Sequence, residues 1–425
     1  MKLSVHVGER EVATLESMGD FRNAMTYGED VAPDDFVSLT MRVRKDPFVW
    51  DDVLLPYFQM NLPEGHLLRV LQEQFGPVIG GSPMALLSVV GRNTIGRVRV
   101  APEGVALDQP AKAVDIAALL NGDNSEEAFA ELVRLHATSG VSGVVPKFLD
   151  TEERTLRISP ARKTTFFSHR HIIKGSSTAL PFVSLNEHLC MEVVRRTMPA
   201  ARTQVSSDGQ VLVVDRFDVD DEGRPHWGME DFCVLLGLRP TAKYDTTWER
   251  MARAVRDLAP AENRAPIFHG MTSLLLLTYA LRNADCHAKN VALRYSKFAD
   301  VHLAPAYDML TTAAYDKYAK SSPAISFMGK KTWSPGKNLQ AFIAGSFFMH
   351  PRDQGHIVER IARAMKDVAP QVRLAMEQHP GFYGIGKRML FCWSEGISSL
   401  YDQRTYGLGM PDLGAAFAGF TDRCE

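Results

Sequence analysis

The spacing of apolar residues changes along this chain, and the change is the strongest constraint on its fold. Before about residue 230, apolar residues alternate with polar ones, which predicts short strands such as Leu3 to Val7 and Val211 to Phe217. After residue 230, apolar residues recur every three or four positions, which predicts helices. The predicted helices cover 230–236, 246–258, 267–283, 356–376 and 387–401, with two short strands at 291–295 and 301–304 between them. The pattern therefore indicates an α/β (α+β) protein that is rich in strands first and helical afterwards.

The length and charge of the chain narrow its class. A chain of 425 residues is too long for one ordinary core, and 45% apolar with 23% charged residues is typical of packed globular domains. The 48 basic and 50 acidic residues nearly cancel. No net field therefore directs the whole chain to nucleic acid or to an acidic membrane.

The cysteines and the N-terminus indicate a cytoplasmic protein. The five cysteines are scattered and form no C-x-x-C pair, which argues against a zinc ribbon or a disulfide framework. The longest apolar stretch, Ser273 to Leu281, is far shorter than the ~20 residues of a membrane helix. The N-terminus alternates like a strand and does not resemble a signal peptide. We therefore expect no membrane partner.

The segment Leu281 to Asn290 carries the strongest chemical signal, and it reads Leu-Arg-Asn-Ala-Asp-Cys-His-Ala-Lys-Asn. Asp285 and Asn290 have the spacing of the Asp and Asn in the catalytic loop of protein kinases. A carboxylate can accept the proton of an attacking hydroxyl, and an amide oxygen can bind Mg²⁺ without adding charge. Lys289 can neutralise the transferring phosphoryl group, and His287 joins the candidate nucleotide contacts.

A second carboxylate, Asp308, follows the predicted strand at 301–304 in the sequence Leu-Ala-Pro-Ala-Tyr-Asp. A carboxylate in this place can bridge Mg²⁺ to the phosphates of a nucleotide. An isolated Asp-x-His is more often a structural turn than a site. The Asp-x-x-x-x-Asn spacing together with this later carboxylate favours phosphoryl transfer over chance.

A segment of small residues at 138–147 can form a loop whose backbone N–H groups face a nucleotide, although such segments are more often plain connectors. It lacks the Walker spacing Gly-x-x-x-x-Gly-Lys-Ser/Thr. The residues assigned to nucleotide binding in this loop are Gly140, Val141, Ser142, Gly143 and Lys147.

Lys174 ends a predicted strand, where a kinase keeps the lysine that contacts the α- and β-phosphates. A lysine at the end of a strand is more commonly just solvated. Glu187 in the following predicted helix can pair with Lys174, or it can complete a capping box with Ser184.

Asp215 and Phe217 end another predicted strand and resemble a hinge between two lobes, whose backbone can hold adenine. Arg216, which lies between them, offers a simpler interpretation. It can form an ordinary salt bridge with a carboxylate at the end of the strand.

Taken in order, these segments resemble the HipA family of toxin kinases. The resemblance covers roughly residues 87 to 308, and the Asp-x-His-Ala-Lys-Asn segment is its most specific part. The matching stretches are Leu87–Gly96, Gly143–Lys147, His171–Lys174, Asn186-Glu187, Asp215–Asp218, Glu230–Cys233, Lys243-Tyr244, Asp285–Asn290 and Pro305–Asp308.

The resemblance implies a two-lobed, kinase-like fold with an extra N-terminal subdomain and an all-helical C-terminal lobe. Residues 1–110 would form the β-rich N-terminal subdomain. Residues 111–225 would form the core of the N-lobe, with the Gly-rich loop and the nucleotide-binding strands. Residues 226–425 would form the helical C-lobe with the catalytic loop.

The resemblance also implies a serine/threonine protein kinase that uses ATP and Mg²⁺. Asp285 would be the catalytic base, Asn290 and Asp308 the Mg²⁺ ligands, and Lys174 a phosphate contact. Known substrates in the family are aminoacyl-tRNA synthetases, whose phosphorylation slows translation. The expected partner is a helix-turn-helix antitoxin of the HipB type, through which operator DNA is bound.

Two departures from the family pattern bear on regulation. Members can phosphorylate a serine in their own Gly-rich loop, but this loop reads Val144-Val145-Pro146 where the best-known members have a polar Gln-Glu pair. Ser139 is therefore the first candidate for autophosphorylation and Ser142 the second. Cys286 stands where glycine is common, and a small buried side chain is a simpler interpretation than a redox-sensitive thiol.

Two alternatives stay open. A kinase-like regulatory protein could bind a nucleotide without transferring phosphate. A metal-dependent hydrolase would use Asp285, His287 and Asp308, with His269 as a further ligand.

Overall fold

The structure is a computed structural model of the protein. It describes residues 1–19, 22–52, 54–62, 68, 81–107, 114–122, 124–125, 128, 164–168, 170–333, 336–401 and 414–417. Within these ranges, three antiparallel sheets precede or interrupt a large helical region. The predicted order, strands first and helices afterwards, is confirmed.

The first sheet is built from residues before 103. Its described strands are β1 (Lys2–Val7), β2 (Arg10–Ser17), β3 (Asn23–Tyr27), β4 (Phe48–Trp50) and β5 (Val98–Pro102), in the spatial order β4-β3-β2-β1-β5. Gly8 turns the chain between β1 and β2 with a φ of +61°, a conformation that costs glycine little. Leu3 and Val5 lie on the same face of β1 and pack in a core with residues of two helices, α1 (Pro56–Met60) and α2 (Pro83–Val90).

The second sheet has helices on both faces. Its described strands are β6 (Thr164–Phe167), β7 (His171–Gly175), β8 (Thr203–Val205) and β9 (Val211–Asp215), in the order β6-β7-β9-β8. Successive residues of β9 point to opposite faces of this sheet. Leu212 and Val214 pack in the large core, which includes helix α4 (Val183–Arg195). Val211 and Val213 pack on the other face with Leu119 of helix α3 (Ile116–Asn121).

The third sheet corrects one predicted helix. Residues 230–236 do not form a single helix, because Glu230 and Asp231 end a strand, β10 (Gly228–Asp231), that pairs with β11 (Ala292–Tyr295). The short helix α5 (Phe232–Leu235) follows, and the Asp231 carboxylate caps it by accepting from the Val234 N–H at 3.0 Å. The described strands of this sheet lie in the order β10-β11-β12, with β12 at Val301–Leu303.

The remaining helices form the body of the second half. They are α6 (Trp248–Leu258), α7 (Ala261–Ala280), α8 (Gly336–Ser346), α9 (Pro351–Gln378), α10 (Tyr383–Leu400) and α11 (Gly414–Phe417). Helix α10 passes close to α7 because residue 396 is glycine: a Cβ there would lie 2.1 Å from the Ala280 carbonyl oxygen. Within the described ranges, none of the helices combines the length and apolarity that crossing a bilayer requires.

A buried carboxylate joins the first sheet region to the third sheet. Glu230 accepts hydrogen bonds from the Ser38 hydroxyl at 2.6 Å, the Leu39 N–H at 2.7 Å and the Tyr295 hydroxyl at 2.6 Å. Burial disfavours the charged form and raises the pKa of Glu230 to about 7. The joint is therefore sensitive to pH near neutrality.

A buried ion pair joins the same N-terminal region to the second sheet. The Arg216 guanidinium lies 2.6 Å from the Asp218 carboxylate, and both side chains are almost wholly buried. Arg216 also donates to the Thr94 carbonyl at 2.7 Å, while the Asp218 carboxylate accepts from the Gly96 N–H at 2.7 Å. The strand-end salt bridge that the sequence offered for Arg216 is thus present, and it extends across two parts of the chain.

The titration of Glu230 predicts a specific pH dependence of stability. Its pKa is about 7 in the folded protein and about 4.5, the ordinary value, when unfolded. The folded state binds the Glu230 proton more tightly than the unfolded state does. The protonated carboxyl therefore stabilises the folded state fully below the unfolded pKa, and this stabilisation is lost as the pH rises toward the folded pKa. Glu230→Gln keeps an accepting oxygen and removes the charge. We therefore expect the stability of this variant, relative to wild type, to rise by up to about 3 kcal/mol between about pH 4.5 and about pH 8.

Thermal denaturation of both proteins across that pH range measures the difference. Subtracting the two curves cancels the titration of all other groups. A stability difference that stays constant with pH would contradict the titration assigned to Glu230.

Candidate functional site

Two carboxylates share one buried ammonium at the centre of the site. Lys174 in β7 places its Nζ 2.6 Å from Oε1 of Glu187 and 2.7 Å from Oδ1 of Asp308. Glu187 lies in α4, which packs on the face of the second sheet that Lys174 also faces. The contact expected between Lys174 and Glu187 is therefore present. The role of Lys174 as a phosphate ligand stays a prediction.

The alternative of a capping box at Ser184 is wrong. Helix α4 begins at Val183, and its cap residue Phe182 makes no side-chain cap hydrogen bond. Ser184 lies inside the first turn, where its hydroxyl donates to the Gln210 carbonyl at 2.9 Å. Glu187 therefore takes no part in a capping box, and its carboxylate contacts Lys174.

Asp308 is joined to the predicted catalytic segment by Asn290. The Asn290 amide nitrogen donates to the second Asp308 carboxylate oxygen at 2.7 Å. The Asn290 amide oxygen is buried and has no hydrogen-bond partner among the described residues. Asp308 has a φ of +58°, an uncommon conformation for a residue with a side chain, and such strain is typically retained at functional sites.

The backbone around Asp308, which follows β12 by five residues, is held from two sides. The Ala306 N–H donates to the Pro199 carbonyl at 2.9 Å, and the Ala306 carbonyl accepts from the Ala201 N–H at 2.9 Å. Beyond Asp308, the amide of Asn186 exchanges two hydrogen bonds with the backbone of Thr311, at 2.9 and 3.0 Å. The backbone before Asp308 is therefore held by the residues that follow helix α4, and the backbone after Asp308 is held by Asn186 within α4.

Asp285 lies just after α7 and is half exposed. Its backbone N–H donates to the Asn283 amide oxygen at 3.0 Å, and its carboxylate accepts from the Tyr244 hydroxyl at 2.7 Å. The Thr312 hydroxyl accepts from the N–H of Ala284 at 2.7 Å and ties this turn to the segment after Asp308. The result is an accessible, oriented carboxylate.

Several of these supporting residues had no predicted role. Asn283 carries a local signal, since an Asn two residues before a turn residue commonly bonds the backbone ahead. Tyr244 was noted only as part of a matching stretch, and it lies 41 positions from Asp285. Thr312 carries no local signal that links it to the segment at 281–290.

His287 is buried beside Asp285 and Tyr244. Its Nε2 lies 3.9 Å from the Asp285 carboxylate, and its ring meets the Tyr244 ring edge-on at 5.1 Å. Burial lowers the pKa of His287 to about 4, against the opposing charge of Asp285. His287 is therefore a neutral imidazole at physiological pH.

The predicted hinge is connected to the catalytic segment through Tyr307. The Phe217 ring lies 6.0 Å from the Tyr307 ring, and the Tyr307 hydroxyl donates to the Lys289 carbonyl at 2.7 Å. Asp215 ends β9, half exposed, with its carboxylate 3.7 Å from His171 Nε2. The structure thus groups Phe217 and Lys289 around Tyr307.

The predicted Gly-rich loop lies outside the described residues. The candidates that fall there are Ser139, Gly140, Val141, Ser142, Gly143 and Lys147. Their roles in nucleotide binding and autophosphorylation stay predictions.

The metal-dependent hydrolase requires several metal-ligating side chains close together. Within the described part of the chain, no three His, Cys, Asp or Glu side chains are grouped so that they could hold a metal ion. His269 lines a separate cleft whose lining does not include Asp285 or Asp308.

Cys286 is buried, and burial raises the pKa of its thiol to about 12, so it stays protonated. This agrees with a small packed side chain at this position.

Two protein-family domains match this chain. The HipA-like C-terminal domain matches residues 139–371, and the HipA N-terminal domain matches residues 3–101. The first match alone covers more than half of the chain. The chain therefore belongs to the HipA family.

Particular relatives agree with this membership. A protein of Sinorhizobium fredii named "Putative kinase Y4dM" is 28% identical over 357 residues, covering 77% of this chain and 81% of its own. A second protein of that organism, "Putative kinase Y4mE", is 26% identical over 299 residues, covering 66% of this chain and 69% of its own.

A solved structure supports the fold. The complex of HipA, HipB and operator DNA from Shewanella oneidensis contains a chain that matches with a TM-score of 0.66 at 16% identity, covering 96% of this chain and 100% of that one. The expected two-lobed α/β fold is confirmed.

The lowered pKa of His287 predicts that its ring does not titrate near neutrality. In ¹⁵N-histidine-labelled protein, we expect the ring signals of His287 to keep neutral-imidazole shifts down to about pH 5. The signals are assigned by their loss in His287→Gln. A titration midpoint close to the ordinary value of 6.5 would show that the ring is not buried as described.

Proposed function

We propose that this protein is a protein kinase that transfers the γ-phosphate of ATP, with Mg²⁺, to a serine or threonine hydroxyl of another protein. One observation carries the proposal. A strand lysine and a helix glutamate meet an asparagine and an aspartate that lie more than a hundred residues later in the sequence, through contacts of 2.6 to 2.7 Å. These are the residue types that phosphoryl transfer requires around a metal-bound nucleotide. The kinase names of the two Sinorhizobium fredii relatives also support it.

The residues present fit a divalent cation. Lys174 supplies one positive charge to two carboxylates, so the trio of Lys174, Glu187 and Asp308 carries a net negative charge. The buried Asn290 amide oxygen lacks a donor among the described residues, and hard cations such as Mg²⁺ prefer oxygen ligands of this kind. Asn290 and Asp308 would hold the ion, which would bind and neutralise the phosphates of ATP.

The chain's own residues account for the remaining chemistry. Asp285 is exposed enough to meet an incoming hydroxyl, and Tyr244 and Asn283 fix its direction. Its carboxylate accepts the proton of the attacking hydroxyl. Lys174 contacts the nucleotide phosphates, and Lys289 neutralises the transferring group. The backbone at 215–217 and His287, together with the loop at 138–147, contribute to nucleotide binding.

The biological role that we propose is that of a toxin in a toxin–antitoxin pair. Its support is membership of the HipA family and the fold shared with a HipA that was solved with HipB and operator DNA. The partner would be a helix-turn-helix antitoxin of the HipB type, and operator DNA would be reached mainly through it. The protein substrate would be a component of translation such as an aminoacyl-tRNA synthetase. Autophosphorylation at Ser139 or Ser142 would regulate the kinase.

Asp285→Asn is the first test of the proposed kinase. Asparagine can still accept from the Tyr244 hydroxyl, so the fold is expected to persist, but it cannot take a proton from the substrate. We expect phosphotransfer to fall by at least about a hundredfold. The measurement is phosphate incorporation from Mg·ATP, detected by intact mass and peptide mapping after phosphate carried over from expression has been removed.

Asp257→Asn is the matched control, since Asp257 is an exposed residue of α6. It should retain full transfer. Full activity of Asp285→Asn would end the assignment of Asp285 as base. ATP binding without transfer in wild type, to itself or to a synthetase, would favour a regulatory nucleotide-binding protein. In cells, growth arrest caused by wild type but not by Asp285→Asn, and relieved by the antitoxin, tests the toxin role.

Asp308→Ala tests the proposed cation site. Removing this carboxylate takes away one Mg²⁺ ligand, so we expect the affinity for Mg·ATP to fall by about tenfold or more. Calorimetric titration of ATP with and without Mg²⁺ measures it, and Asp257→Ala serves as control. Unchanged affinity for Mg·ATP in the Asp308→Ala variant would count against Asp308 as a ligand.

A further inference from the structure

A cleft of about 950 Å³ lies between the helices of the second half of the chain, apart from the site described above. Its lining comes from the end of α6, the start of α7 and the start of α9, together with the segment between α8 and α9. The size is within the range that accommodates small-molecule ligands. We call it the arginine cleft after Arg256, Arg264 and Arg360, which line it from three different helices.

These arginines have little to bind within the protein. Arg256 makes no hydrogen bond or ion pair among the described residues. Arg264 donates only its Nε, to the Ala259 carbonyl at 3.0 Å, and Arg360 donates one terminal nitrogen to the Thr197 carbonyl at 3.2 Å. Among the described residues, their remaining guanidinium donors have no carboxylate partner, although Asp353 lines the same cleft. Three guanidinium groups in one cleft, none of them paired with a described carboxylate, favour an anionic ligand.

One further feature of the lining adds to the positive field. Helix α7 begins there at Ala261, and its cap residue Pro260 offers no side-chain acceptor to the first turn. The positive end of this helix dipole therefore adds to the charge of the arginines, and Glu262 in the first turn offsets part of it.

An aromatic ring at the same cleft indicates what else the ligand carries. Phe348 is 67% exposed, which is unusual for so large an apolar side chain, and its φ of +57° is a strained conformation. Its ring meets the ring of Phe268 edge-on, with centroids 5.9 Å apart at 60°. An exposed ring beside arginines is the combination that stacks a nucleobase and binds its phosphate.

We propose that the arginine cleft binds a nucleoside phosphate, with the phosphate on Arg256, Arg264 and Arg360 and the base on Phe348. The ligand is a free nucleotide or the 5′-phosphorylated end of a single strand, because both present the same chemistry. This site is separate from the proposed kinase site and does not depend on it.

Calorimetric titration of the full-length protein in EDTA tests the proposal, with AMP and the 5′-phosphorylated dinucleotide pApA as probes. Arg256→Ala and Phe348→Ala should each weaken binding by about tenfold or more, from the loss of a charge-assisted contact and of a stacked ring. Arg253→Ala is the matched control, since Arg253 is an exposed arginine on the same helix as Arg256 and does not line the cleft. It should bind like wild type.

The two probes distinguish the sources. Equal affinities would support a free nucleotide, and tighter binding of pApA would support a strand end. The proposal is overturned if neither probe binds saturably at millimolar concentration, or if either cleft variant that melts like wild type binds unchanged. It is also overturned if a glutamate-rich peptide binds as tightly and is lost in the same variants, since the cleft would then be a docking site for an acidic protein segment.

Discussion

The site depends on Asp308, which is held by two partners of different kinds. One carboxylate oxygen contacts the Lys174 ammonium and the other accepts from the Asn290 amide, so the carboxylate plane is fixed between the second sheet and the loop after α7. Glu187 takes a second contact with the same ammonium and is itself buried. Buried charges are costly unless they are paired, and here two acids share one base. Within this trio, two carboxylates share one ammonium, an arrangement that suits the cation that we propose at Asp308.

The N-terminal region contributes to this arrangement without touching it. Glu230 binds Ser38 and Leu39 on one side and Tyr295 on the other, at the strand that follows the catalytic segment. Arg216 lies in the predicted hinge and Asp218 directly after it, and both form hydrogen bonds with the turn at 94–96. Both contacts are buried and carry charge, so they have strict geometric requirements. The N-terminal region thus supports β11, which follows the catalytic segment, and the residues that follow β9.

Local spacing predicted the parts of the site that are close in sequence, and chain topology decided the rest. Asp285 and Asn290 could be assigned from their spacing, and Lys174 and Glu187 from a strand followed by a helix. The supports missed by the sequence, Tyr244 and Thr312, reach the catalytic segment from 41 and 28 positions away. The same reason explains the error at Glu230 and Asp231. Their composition suits a helix, and local spacing does not show that they pair with the predicted strand about sixty residues further along.

The shared Asp218 carboxylate has a consequence for how this chain can be divided. Because one oxygen serves both Arg216 and the Gly96 N–H, the first hundred residues supply part of the solvation of a charge pair in the second sheet. A fragment lacking them would expose that pair and also leave the Glu230 carboxylate without two of its three donors. The boundary between the two family domains is therefore crossed by buried polar contacts, which couple the stability of the two regions. Recombination could not exchange the first region without matching these contacts to the second.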